Sequence, residues 1–306
     1  MLVAAVGYGT LGVLARFADE AGLSTITFVS WRALLGAVVL VALVGVSLRL
    51  GLSRAAPLGS VPSRQWLQVV AVALLSVVAN LAIFAAIERT LIAFVLICFY
   101  TFPVMVAIAA TRVYGEPLTA LRIAALSLAT LGLIIVVAAP AFGGATVDVD
   151  PIGLALGLLA ALAQAGYALI AGRGYASLPA AQAAVAITVV TAVAFVSIAV
   201  LTGSSAALAE PFLVEGTWIW LVLAATIGQA IPTAAILAGY RRLGPTRASI
   251  LMLVEPLVGI ALAAWLVAER PGPLQLVGGL LVLAGSLLAQ VQREPRAEEP
   301  SLSGVT

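Results

Sequence analysis

The 306-residue sequence has no histidine, no lysine and one cysteine, and only 9% of its residues are charged. Without histidine there is no histidine general base and none of the commonest metal or haem ligands. The lone Cys98 supports neither a disulfide framework nor a thiolate cluster, and reads as an inert apolar residue. All fifteen basic residues are arginine, which excludes a Schiff-base lysine and any P-loop. The net charge of +2 leaves no electrostatic footprint for nucleic acid. What is present is apolar: 63% of the chain, with a mean hydropathy of +1.19. Soluble domains hold about 45–50% apolar and about 25% charged residues. A soluble core of this length could not cover so much apolar surface. The chain reads as an all-α polytopic membrane protein with the lipid bilayer as its solvent, no cofactor, no metal and no enzymatic centre.

A bilayer core of about 30 Å takes roughly 20 apolar residues per helix. Uncharged runs predict ten spans: Leu2–Ala15, Thr25–Leu48, Trp66–Ile87, Leu91–Thr111, Leu118–Ala139, Ile152–Gly172, Leu178–Thr202, Thr217–Tyr240, Ala248–Ala268 and Leu274–Val291. The first is short, and tilt or bilayer thinning would make up the difference. A signal peptide is disfavoured there, since no positive region precedes it and Arg16 follows it. With a cytoplasmic N-terminus, eleven arginines fall on inner segments and three (Arg16, Arg89, Arg270) on outer ones, with Arg32 inside a span. That asymmetry predicts both termini in the cytoplasm and a multi-pass protein of a bacterial inner membrane.

Three marks recur at an offset of 153 residues: Pro103 with Pro256, Glu116 with Glu269, and Gly132 with Gly285. Such self-similarity predicts two halves. With five spans in each, the second half must enter the membrane from the opposite side, as in the inverted repeats of secondary transporters. The expected division is 1–139 as first repeat, 140–151 as outer linker, 152–291 as second repeat and 292–306 as a disordered cytoplasmic tail.

These residues carry a family resemblance. FVLICFYTFPVMVAIAATRVYGEPL followed by ATLGLIIVV, and ASILMLVEPLVGIALAAWLVAERP followed by LVLAGSLL, resemble the paired EamA-type domains of the drug/metabolite transporter superfamily. The first copy departs from the pattern, with Thr101-Phe102-Pro103 where the second has Val254-Glu255-Pro256. The resemblance implies ten helices, a central cavity and export of small metabolites. Within the superfamily the sequence is similar to bacterial amino-acid exporters, aromatic amino-acid exporters among them.

Only Arg32 and Glu255 lie deep within spans, and an intramembrane charge is a functional hypothesis by default. Glu255 would bind a substrate ammonium or carry a coupling proton; the alternative is a structural pair with Arg32 or with backbone freed by Pro256. Arg32 would clamp a carboxylate, or else snorkel or pair with Asp19 or Glu20, which is the favoured reading. Pro103, Pro232 and Pro256 fall inside spans and mark hinges, or kinks that serve packing alone. Tyr8, Asn80, Phe84, Phe99, Tyr100, Gln164, Tyr167 and Gln229 lie near mid-span and are candidate substrate contacts or interhelical glue. Trp31, Trp66, Trp218, Trp220 and Trp265 read as interfacial belt residues. Gly153 and Gly157 read as close packing within the bundle.

The leading expectation is a monomeric secondary transporter exporting amino acids or related small metabolites by alternating access. Export of cationic drugs is the alternative, since one buried glutamate and aromatic walls would suffice. Phosphorylated substrates would need several buried cations, and a channel would need rings of polar residues. Both rank low.

Overall fold

The structure is a computed structural model and describes residues 1–51, 55–90, 92–139, 150–173, 175, 177–266 and 272–291. The expected linker, apart from Asp150 and Pro151, lies outside the described residues, as do Glu269 and the tail from Gln292. Ten helices are long and apolar enough to cross a bilayer: α1 Leu2–Glu20, α2 Thr25–Arg49, α3 Ser63–Ile87, α4 Ile92–Tyr114, α5 Ala120–Ala138, α6 Pro151–Arg173, α7 Ala180–Leu201, α8 Thr217–Leu243, α9 Pro245–Leu266 and α10 Pro273–Val291. In lipid each helix satisfies its backbone internally, which is why these runs adopt this form. No strand occurs among the described residues. The first span is not short: it continues to Glu20, because Arg16 at 49% side-chain exposure sits in the final turns and pairs with Glu20 at 3.0 Å.

The ten helices form two inverted five-helix repeats, α1–α5 and α6–α10. The packing follows the repeat. Helix α2 packs on α7 and α5 on α10, each against its own counterpart, while α3 packs on α6 and α1 on α8 as a related couple. The α5–α10 contact is the most extensive. A Cβ on Gly132 would stand 2.6 Å from the Gly278 carbonyl, and one on Gly285 would stand 2.7 Å from the Ala125 carbonyl. Gly132 and Gly285 are 153 apart, and so are Ala125 and Gly278, so the two contacts are copies of one another. Small residues let the helix backbones approach where lipid offers no hydrophobic drive. Gly153 and Gly157 play the same part within the bundle, against Thr90 and Cys98.

Four spans are interrupted. Helix α4 divides into Ile92–Phe99 and Phe102–Tyr114, and α9 into Pro245–Met252 and Glu255–Leu266. Phe99 and Met252 are 153 apart, as are Phe102 and Glu255, so the two breaks coincide to the residue. Each precedes a proline that lacks an amide and clashes one turn back. Helix α1 breaks at Thr10, whose hydroxyl donates to the Gly7 carbonyl at 2.7 Å. Helix α8 carries a π turn over Thr226–Ala230, just before Pro232.

Trp31, Trp218 and Trp220 depart from the belt reading. Trp31 donates to the Leu208 carbonyl at 2.9 Å and stacks edge-on against Trp218 and Phe212, at 5.2 and 5.7 Å. Trp220 packs on Phe17 at 4.9 Å. Trp265, 79% exposed, faces outward. Leu208 and Phe212 belong to the segment between α7 and α8 that folds back over α2 and offers the indoles protein partners.

Candidate functional site

A cavity of about 760 Å³ lies between the two repeats. At the far face, where α1 ends, its walls reach Arg16, Phe28, Phe84, Ile92 and Gln275. Towards the near face, where α1 begins, they stop at Tyr8, Tyr167, Ile187, Ile236 and Met252. Among the described residues the cavity thus reaches towards the far face and stops short of the near one.

Beneath its floor the near face is sealed. Tyr240 is fully buried, with its ring centroid 6.2 Å from that of Tyr167. The Arg241 guanidinium stacks 4.7 Å over the Tyr175 ring and donates to the Tyr175 carbonyl at 2.9 Å. Tyr175 holds φ at +42°, a strained setting for a bulky side chain, and is 1% exposed. Burial pushes its hydroxyl pKa up, against the pull of Arg241. Nearby, Glu116 accepts from Arg122 at 3.4 Å and from the Thr246 hydroxyl at 2.9 Å, tying the first repeat to the second.

All nine residues proposed from sequence as substrate contacts line the cavity: Tyr8, Asn80, Phe84, Phe99, Tyr100, Gln164, Tyr167, Gln229 and Glu255. Arg32 and Pro256 join them, while Pro103 is buried behind the wall in α4 and Pro232 behind it in α8. Thr188, Thr191, Thr233 and Ser76 line the cavity too and were not singled out from sequence. Threonine and serine are common in membrane helices as backbone-bonded residues, so their type alone is no signal; spacing four from Gln229 and Asn80 was the available one.

Arg32 departs from the favoured sequence reading. It is only 7% exposed, and it neither reaches the interface nor pairs with Asp19 or Glu20 among the described ion pairs. Its Nη2 donates to Asn80 Oδ1 at 3.2 Å, while Asn80 Nδ2 donates to the Ser76 carbonyl at 2.8 Å. The second bond orients the amide, so its oxygen is the atom that meets the guanidinium. Arginine has five N–H donors, and Nε finds no partner here. Glu255 opens the second half of α9, half-buried, with the Tyr100 hydroxyl beside it. No described ion pair joins Arg32 to Glu255 or gives either one a counter-charge. Phe99, Tyr100 and Phe102 form a ring cluster with centroids 5.0 to 6.3 Å apart. Tyr8 shares a hydrogen bond of 3.1 Å with Thr233, which also accepts from Gln229 Nε2 at 3.3 Å. Among the described residues no group of histidine, cysteine, aspartate and glutamate could hold a metal ion.

The sequence profile of the EamA-like transporter family matches twice, over residues 1–138 and again over 151–290. The chain belongs to that family. Its two matched segments coincide with the two inverted repeats of this EamA-like fold. An uncharacterized transporter of Archaeoglobus fulgidus is 34% identical over 88 residues, which is 28% of this chain and 33% of that protein. The chain thus aligns with about a third of the length of that curated relative. A solved crystal structure superposes with a TM-score of 0.76 over 94% of each chain at 17% identity, a likeness of fold alone.

Proposed function

We propose that this EamA-like protein is a secondary transporter that exports amino acids or related small metabolites across the bacterial inner membrane, with both termini cytoplasmic. The observation that carries the substrate reading is that Arg32 and Glu255, the two ionisable groups set deep within spans, line one cavity and share no described ion pair. A buried charge without a partner is strongly destabilising. A ligand bearing one carboxylate and one ammonium would compensate both at once. The aromatic cluster of Phe99, Tyr100 and Phe102 and the apolar Phe84 suit an apolar side chain between or beside those ends. The cavity, open at one face and sealed at the other, supports alternating access, with α4 and α9 bending at Pro103 and Pro256. The arginine asymmetry supports a cytoplasmic near face. A lone cationic drug would satisfy Glu255 and leave Arg32 uncompensated, so that reading ranks second.

The test is counterflow in proteoliposomes with labelled leucine and phenylalanine, competed by phenethylamine and by phenylpropionate. Both amino acids should exchange, and both analogues, each lacking one charge, should compete poorly. Phenethylamine competing as well as phenylalanine would replace the amino-acid reading with the cationic one.

A further inference from the structure

The π turn of α8 has a signature in the repeat. Helix α3, the counterpart of α8, runs unbroken over Ser63–Ile87 and has Ala79 where α8 has Pro232. On the near side of the turn, buried Ala230, Pro232 and Gly239 lie 153 residues from buried Val77, Ala79 and Ala86. On the far side, buried Leu221, Ala224 and Ala225 match buried Val69, Val72 and Ala73 at 152. The offset changes by one residue across the turn. Helix α8 therefore holds one residue more than its counterpart, and the π turn absorbs it.

Local chemistry fixes where the surplus sits. The Ile231 amide bonds the Thr226 carbonyl, five residues back, which releases the Ile227 carbonyl. Pro232 offers no amide to the Gly228 carbonyl, so an α turn could not be completed there. Neighbouring glycines receive the widened turn. A Cβ on Gly7 would stand 2.6 Å from the Ile227 carbonyl and would also meet the Pro232 ring. A Cβ on Gly36 would stand 2.7 Å from Gln229 Cγ. Gln229 lies in the turn, lines the cavity together with Arg32 and Glu255, and is bonded through Thr233 to Tyr8 on the same lining. π turns of this kind recur at functional sites.

We infer that the surplus residue of α8, held as a π turn and pinned by Pro232, serves to seat Gln229 as a ligand-contacting residue between the two charged ends of the site. This rests on the reading of the cavity as the amino-acid site. Pro232 is then a positioning residue that sets register, rather than a hinge.

Two single-residue deletions test it. Ile227 and Val222 are both exposed on the outer side of α8, at 41% and 48%, so neither side chain is needed for the core. Deleting Ile227 removes the surplus and leaves both halves of the helix on their faces. Deleting Val222 turns the half before it by about 100°. The Ile227 deletion should purify as a monodisperse protein with a parental melting temperature, and the Val222 deletion should not. Two equally disrupted proteins, or two equally intact ones, would overturn the surplus residue. With labelled leucine, the Ile227 deletion and Gln229→Ala should each raise KM about five- to tenfold, the loss of one net hydrogen bond, with kcat little changed. The combined variant should be no worse than either, because both remove the same contact. Parental KM in the deletion, or additive effects, would overturn the seating of Gln229. If the parent protein does not move leucine, the amino-acid reading has failed, while the pair of deletions still decides the architecture of α8.

Discussion

The breaks in α4 and α9 are the same backbone event with different chemistry. Both fall two to three residues before a proline, at positions 153 apart, and both second segments start at the cavity wall. In α4 that segment opens with Phe102, 2% exposed, and in α9 with Glu255. Proline dictates the interruption through its missing amide and its ring. The residue just before it is free to vary, and one substitution between the repeats turns an aromatic wall into a carboxyl. The same division holds in α3 and α8. Ser76 and Asn80 occupy the repeat positions of Gln229 and Thr233, all four line the cavity, and one pair orients Asn80 on Arg32 while the other joins Tyr8. Symmetry supplies the cavity, and asymmetry supplies its polarity.

The sharpest break of that comparison is Glu255→Gln set against Phe102→Leu. The amide keeps the shape and removes the charge, so leucine counterflow should fall about a hundredfold, as for an uncompensated ionic contact, while Phe102→Leu, which only trims the aromatic wall, should cost no more than about tenfold. Equal transport by Glu255→Gln and the parent would make the carboxyl structural. Next comes Arg32→Met, which keeps the apolar stem and removes the guanidinium. Leucine exchange should drop about thirtyfold, with weak phenethylamine competition unchanged or improved. Loss of both together would indicate collapse of the wall rather than loss of a carboxylate contact.

The symmetry itself is tested at α5 and α10. Gly132→Ala and Gly285→Ala each place a methyl against backbone and should each cost about 1–3 kcal/mol, read as matched drops in melting temperature. Gly279→Ala, with only Leu257 at 3.5 Å, should change little. Unequal effects at Gly132 and Gly285 would show that the contacts are not equivalent. Pro103→Ala and Pro256→Ala should each alter the transport rate by a similar factor of about five, near 1 kcal/mol of barrier, at unchanged expression. A response at only one proline would confine the bending to one repeat.

The smallest effect is expected at the far face, where Glu210 accepts from the Ser24 amide at 2.7 Å and from the Ser24 hydroxyl at 2.9 Å. Slight burial pushes its carboxyl up, but the hydrogen bonds from Ser24 and Thr27 outweigh this and hold it below the usual glutamate range. A group whose folded pKa is depressed stabilises the fold above its unfolded pKa and loses that contribution as pH falls through the folded one. Glu210→Gln should therefore lower stability by about 1 kcal/mol or less at neutral pH. The gap should close as the pH drops well below the ordinary glutamate value of about 4.3, as melting at a series of pH values would show. A gap that persists in acid would mean that shape rather than charge is lost.

The ten spans and the inverted halves were legible because lipid imposes one rule on every run of residues: about twenty apolar positions, with the backbone bonded within the helix. The breaks in α4 and α9 were legible because proline acts on its own helix whatever surrounds it. Of the nine expected contacts, Tyr8, Asn80, Tyr100, Gln164, Tyr167, Gln229 and Glu255 reached the cavity because polar and ionisable residues near mid-span avoid lipid, and Phe84 and Phe99 lie beside them. The inward Trp31 and the π turn of α8 were not legible, since each depends on a partner distant in sequence: Leu208 and Phe212 for Trp31, and Gly7 and Gly36 for the turn.

The sequence by itself thus determined the number of spans, their pairing into repeats and the positions of the proline breaks, since composition and local backbone chemistry decide these one helix at a time. Only the tertiary structure decided that Arg32 turns inward onto Asn80 rather than out to the interface, and that it shares a cavity with Glu255 without pairing with it. A helix position states the depth of a charge, but its direction depends on how the helix is rotated, and that is set by the packing of all ten.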